Sequence, residues 1–192
     1  MLANMTVADL LRPSERWRAG FYDLALILGG SLLIGLCAQI KIHLGPVPIT
    51  GQTLVVLMIA ALLGSRRGTL AVLAYLAEGA AGLPVFAMGS GPLVLIGLTG
   101  GYLIGFVPAA FVTGLLAEKG WDRRFGTTVL AMILGNAIIY ACGMTQLCIL
   151  TGMNKAVVTA GLLPFIPGDI LKIIIAAIML PSAWKLLGRN SP

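Results

Sequence analysis

The chain alternates between long apolar runs and short interruptions. The runs extend from Phe21 to about Ile42, Thr53 to about Gly64, about Gly68 to Gly82, near Leu93 to Leu116, about Thr127 to Leu150, and near Pro167 to Leu187. A helix needs about 20 apolar residues to cross a bilayer. The first, fourth, fifth and sixth runs reach that length, and the two between them do so only if flanking residues extend them. Ahead of the first run, Leu10, Leu11 and Trp17 are spaced to share one face of a short interfacial helix.

The interruptions are of two kinds. One kind is basic, as at Ser65-Arg-Arg67 and Glu118-Lys-Gly-Trp-Asp-Arg-Arg124. The other is uncharged and rich in glycine and proline, as at Gly82–Leu93. His43-Leu-Gly-Pro-Val-Pro-Ile-Thr-Gly-Gln52 has the glycines and prolines that forbid a regular helix, yet it is apolar. A solvated loop is not built that way. A lid or re-entrant piece resting on a helix bundle is.

Composition turns these runs into a class. Of 192 residues, 58% are hydrophobic and 10% are charged, against about 25% charged in a soluble domain. Such a chain cannot cover a water-facing surface, so a single all-α integral membrane domain with six transmembrane helices is expected. The net charge of +6 has no long basic run or aromatic–basic interleaving behind it. It points to topology and the lipid bilayer, with no nucleic acid. Ten of the 13 Lys and Arg fall at the ends facing one side; the other three are Lys41, Lys155 and Lys172. Basic loops stay cytoplasmic, so both termini are expected there. The first run is too long for a signal-peptide core.

Orientation gathers the unusual residues at one mouth. The lid-like stretch, the uncharged loop 82–92, Glu78 and the stretch 163–172 all fall on the outer side. Asp169 and Lys172 stand three apart at the entry of the last helix, on one helical face. A membrane-buried ionisable residue costs about 2.5–3.5 kcal/mol on insertion scales, so two of them require a purpose. Either they form a structural ion pair, or they are the acceptor and donor of a ligand site. Asn136 and Tyr140 lie mid-helix, where polar residues also serve as interhelical glue.

Catalytic signatures are missing. There is no Gly-x-x-x-x-Gly-Lys-Ser/Thr phosphate loop, no Gly-x-Ser-x-Gly turn, and no His/Cys pair for nucleophilic catalysis. His43 has no metal-ligand partner at the right spacing, and Cys37, Cys142 and Cys148 are too scattered for a disulfide framework. No catalytic residue, metal or cofactor is expected. Glu78 and Asp169 leave a proton-coupled carrier, with the two as relay groups, as the alternative to a ligand-binding protein.

Pro46-Val-Pro-Ile-Thr-Gly-Gln-Thr-Leu54, Tyr75-Leu76, Gly82-Leu-Pro-Val-Phe-Ala87, Gly100-Gly-Tyr-Leu103 and Leu163-Pro-Phe-Ile-Pro-Gly-Asp-Ile-Leu-Lys172 together resemble the BioY family, the biotin-binding S components of energy-coupling factor (ECF) transporters. The likeness covers about residues 25 to 185 in matching order. It implies an S-component-like bundle of six helices in a bacterial or archaeal cell membrane. It implies capture of biotin from outside, with a transmembrane coupling subunit and two ABC-type ATPases as partners. The chain itself would not be an enzyme. The residues expected at biotin are Asp169, Lys172, Asn136, Tyr140, Glu78, Phe86 and Gln52. Pro46, Val47, Pro48 and Thr50 are expected in the lid. The small residues Ala25, Gly29, Ser31 and Gly35 are expected to dock the coupling subunit.

Overall fold

Long apolar sequences satisfy their backbone within helices, and the computed structural model is built from them. It describes residues 5–42, 47–152, 159 and 161–187. The described elements are α1 (Val7–Leu10), α2 (Arg16–Ala38), β1 (Lys41–Ile42), β2 (Ile49–Thr50), α3 (Gln52–Ala80), α4 (Leu93–Ile96), α5 (Gly100–Glu118), α6 (Phe125–Thr151), a 3-10 turn (Leu163–Phe165) and α7 (Ile166–Leu186). Among the described residues, five segments are long and apolar enough to cross a membrane: α2, α3, α5, α6 and Leu163–Leu186.

α3 is not a straight rod. Gly64 has φ 85° and ψ 175°, outside the helical region. In a straight helix Gln52 and Tyr75 would stand about 34 Å apart. Instead the Gln52 amide donates to the Tyr75 hydroxyl at 2.6 Å, and Gly68 lies on the Ala60 backbone. Residues 52–63 and 65–80 are therefore two antiparallel arms. Glycine is required at the bend because it takes positive φ without strain. A Cβ there would also meet the Glu118 carboxylate at 2.9 Å and the Thr6 methyl at 3.0 Å. The Glu118 carboxylate accepts from the Ser65 N–H and hydroxyl, each at 2.7 Å, and caps the second arm. The expected loop at Ser65-Arg-Arg67 is absent, because Gly64 alone makes the turn and Ser65 to Arg67 are already helical.

Other boundaries also shift. α2 starts at Arg16, before Phe21, and ends at Ala38. Gly97 is extended and splits the expected fourth run into α4 and α5. The short interfacial helix expected through Leu10, Leu11 and Trp17 does not form: α1 stops at Leu10, and Trp17 belongs to α2.

The core lies between the arms of α3 and helices α5 and α6, with Tyr75, Leu57, Val56, Val72 and Ile139 buried in it. Small residues allow close approach: a Cβ on Gly114 would fall 2.5 Å from the Ser65 backbone, and one on Gly105 would fall 3.2 Å from Ile139. α2 sits at the edge of this core, contributing Ile34 to it, with α3 as its main neighbour. Its outer stripe of Phe21, Leu24, Leu28, Leu32 and Leu36 is exposed, as expected of a helix surrounded by lipid.

The basic end is knitted by ion pairs. Arg67 reaches Asp9 at 2.6 Å and Asp23 at 3.0 Å, and Arg12 reaches Asp23 at 2.7 Å. Burial works to raise the Asp9 pKa, but the Thr6 N–H and the Arg67 guanidinium outweigh it and hold the carboxyl below its ordinary value. Asp122 is buried and accepts from the Trp184 indole at 2.6 Å. Burial pushes its pKa up to about 6, although the Trp184 hydrogen bond works to lower it.

Candidate functional site

α7 begins where Pro164 and Pro167 fix the chain direction without needing backbone donors. Its first turn presents Asp169, only 5% exposed, and Lys172 one turn further on. The Lys172 ammonium donates to Asp169 Oδ1 at 3.1 Å and to the Thr53 hydroxyl at 2.8 Å. The Thr53 hydroxyl stands 3.5 Å from the same carboxylate oxygen. The Tyr140 hydroxyl, from α6, donates to Asp169 Oδ2. Helices α3, α6 and α7 thus meet at one polar cluster. A buried carboxylate is tolerated when it is paired and hydrogen-bonded in this way.

Beside the cluster opens a cavity, set between the helices of the bundle where small-molecule sites commonly form. Thr53, Lys172 and Tyr140 line its polar end. Most of the wall is apolar and aromatic. Tyr102, Tyr140 and Phe165 form one cluster, with ring centroids 6.4, 6.2 and 6.0 Å apart. The Tyr102 hydroxyl donates to the Gly161 carbonyl at 2.9 Å. Its ring lies across Gly143, where a Cβ would come within 2.3 Å.

The opposite wall has a similar seat. Phe86 packs on Gly79, where a Cβ would come within 2.2 Å of the ring, and meets Tyr75 edge-on at 5.4 Å. Gln52 holds the Tyr75 hydroxyl and accepts from the Thr50 hydroxyl at 3.1 Å. β2 pairs with β1, and Val47, Pro48 and Thr50 of this segment line the cavity.

Of the residues expected at ligand, Lys172, Tyr140, Phe86 and Gln52 line the cavity. Asp169 is bonded to two of the lining side chains. Asn136 stands elsewhere, in a narrow crevice behind Lys172 and Thr53, and its Oδ1 finds no partner among the described residues. Glu78 is also off the cavity. It accepts from the Ser31 hydroxyl of α2 at 2.7 Å, because its position faces α2 while Tyr75 and Gly79 face Phe86. Of the lid residues, Pro46 lies outside the described residues.

The docking residues divide. Ala25 and Gly29 are on the exposed face of α2, but Ser31 and Gly35 are buried inside the bundle. Ser31 is held by Glu78, and a Cβ on Gly35 would meet Val85 at 3.2 Å. An α-helix turns successive pairs away from each other, so both pairs cannot face one partner.

Sequence reasoning passed over Thr53, Tyr102, Phe165 and Met88, all of which line the cavity. Phe165 lies inside the Leu163–Lys172 stretch, and Tyr102 follows the Gly100-Gly101 pair that lets α5 approach α6. Thr53 carries no signal beyond its place beside Gln52.

The chemistry of the cavity is an acceptor and a donor set at the end of an aromatic slot. It suits a small ligand with a polar, hydrogen-bonding head and an apolar body. The family model for the BioY family matches residues 10–189. The chain belongs to the BioY family. Similar members include the biotin transporter BioY of Thermotoga maritima, 40% identical over 170 residues, covering 88% of this chain and 95% of that one. BioY of Rhizobium etli is 38% identical over 163 residues, covering 81% of this chain and 87% of that one. A solved structure, the S component for biotin from an ECF-type ABC transporter, matches with a TM-score of 0.74 at 26% identity, covering 90% of this chain and 95% of that one.

Proposed function

We propose that this chain is the biotin-binding S component of an ECF-type transporter and takes biotin at the outer face of the membrane for uptake. The observation that carries the reading is the Asp169–Lys172–Thr53–Tyr140 cluster at the polar end of an aromatic cavity. Biotin's cyclic urea has N–H donors for a carboxylate and a carbonyl for an ammonium. Its sulfur-containing ring and alkyl chain suit a wall of Tyr102, Tyr140, Phe165 and Phe86.

The two arms of α3, counted separately, bring the membrane crossings to six, with both termini in the cytoplasm. Basic residues at the start of α2, just after the Gly64 bend of α3, in the 119–124 loop after α5 and in the last turn of α7 support that orientation. Ala25 and Gly29 present the face of α2 that a coupling subunit engages, and two ABC-type ATPases complete the assembly in the cell membrane. Asn136 supports Lys172 from behind, and Glu78 serves the contact with α2.

The purified chain in detergent is expected to bind biotin without ATP or an ion gradient. Biotin accumulation driven by a proton or sodium gradient, by this chain alone in proteoliposomes, would overturn the reading in favour of a secondary carrier. With the native cysteines replaced, a cysteine at Ser90 should react with an impermeant reagent in intact cells and one at Gly120 should not.

A further inference from the structure

The polar end of the cavity carries no net charge. Asp169 and Lys172 neutralise each other at 3.1 Å. A ligand with an acid tail brings one negative charge that this end does not balance. Most described cations lie at the basic end of the molecule, on α2, the Gly64 bend, the 119–124 loop and the last turn of α7. The exception besides Lys172 is Lys41.

Lys41 sits at the cavity rim. It pairs with Thr50 across the β1–β2 hairpin, and residues directly opposite on antiparallel strands point to the same face. Thr50 lines the cavity, so Lys41 lies on the cavity side of the hairpin. Its ammonium crosses the mouth and donates to the Ala87 carbonyl at 2.7 Å, and Ala87 lines the opposite wall. An ammonium has three donors, and this bond uses one. No carboxylate pairs with Lys41 among the described residues, and the residue is exposed. The result is a fixed, unneutralised cation held between two lining segments.

We propose that Lys41 is the carboxylate subsite of the cavity, taking the acid tail of the ligand at the rim while Asp169 and Lys172 hold its polar ring. The proposal rests on the biotin reading. A carboxylate at the rim keeps part of its hydration, which avoids the cost of burying it. It meets donors that need no rearrangement beyond rotation of the ammonium.

The test compares biotin with biotinamide, which has the same body and a neutral tail, by titration calorimetry on the full chain in detergent. Lys41→Met should weaken biotin about tenfold, the scale of one charge-assisted hydrogen bond, and leave biotinamide within about twofold. Lys41→Arg should keep most of the preference for biotin, and added salt should narrow that preference in the native chain. Equal weakening of both ligands by Lys41→Met would show that Lys41 only ties the hairpin to Ala87, and would overturn the proposal. No weakening of either would overturn it as well. In both cases the biotin reading stands, because the native chain binds. A native chain that binds neither ligand would overturn both.

Discussion

Replacing Lys172 with methionine keeps the stem of the side chain and removes its charge. The native ammonium donates at 2.8 Å to Thr53 and at 3.1 Å to Asp169. After the change Asp169 is not stranded, because Tyr140 still donates to Oδ2 and Thr53 stands near Oδ1. The loss of stability should therefore be about 1–3 kcal/mol, the scale of one unmade buried hydrogen bond. An isolated partner of a buried pair would cost about 3–5 kcal/mol. Biotin loses a donor from a charged group, worth about 1.5–3 kcal/mol, so affinity should fall about 10- to 150-fold. Asp169→Asn should weaken biotin to a similar degree, because its amide nitrogen turns a donor towards the ligand or towards the Tyr140 hydroxyl. The double change Asp169→Leu with Lys172→Met leaves no charge to strand. It should recover stability relative to Asp169→Leu alone and still fail to bind. Affinity is read by titration calorimetry in detergent and stability by thermal unfolding without ligand, since ligand itself stabilises the fold. A stable double variant that binds biotin within about threefold of the native chain would refute a ligand role for the pair.

Gly79→Ala should dislodge the Phe86 ring, which a Cβ would approach to 2.2 Å. The expected cost is about 1–3 kcal/mol of overpacking, with a matching loss of biotin affinity, and an unchanged melting temperature would contradict it. Asp122 has its folded pKa raised to about 6 from 3.8. The folded state therefore holds the proton more tightly, and this group's contribution is fully present below about pH 4 and lost as pH rises through about 6. Asp122→Asn should remove that slope and be neutral to stabilising at pH 7.5, by at most about 3 kcal/mol. A difference in melting temperature between the two proteins that does not change from pH 4 to pH 7 would refute it.

The sequence was most legible where spacing alone implies contact. Asp169 and Lys172 share a helix face by arithmetic, and their pairing needs no knowledge of the rest of the fold. Phe86 and Gln52 belong to glycine- and proline-rich joints at one mouth, and they line the cavity. Glu78 was harder because hydropathy gives the depth of a residue but not its azimuth in an all-apolar helix. With little amphipathic contrast, nothing in the sequence tells the α2-facing side from the Phe86-facing side. The same ambiguity joined Ser31 and Gly35 to Ala25 and Gly29 as one docking face. Thr53 was missed because its importance comes from α7, which lies far away in the chain. The bend at Gly64 was hidden because the residues after it continue as helix and leave no loop to read.

α2 contributes no residue to the cavity lining among those described. It reaches the site by two hydrogen-bonded routes. One is the Ser31–Glu78 hydrogen bond, beside the Gly79 seat of Phe86. The other is its C-terminal end, where Gln39 donates to the Pro84 carbonyl and the chain passes into the hairpin that bears Lys41. The bundle is therefore a vessel with one outer stave: α2 packs Ile34 into the core and Gly30 against Ala71 and Ile59 of the α3 arms, while the aromatic wall is built without it. A partner that grips Ala25 and Gly29 holds a handle attached to the mouth of the vessel.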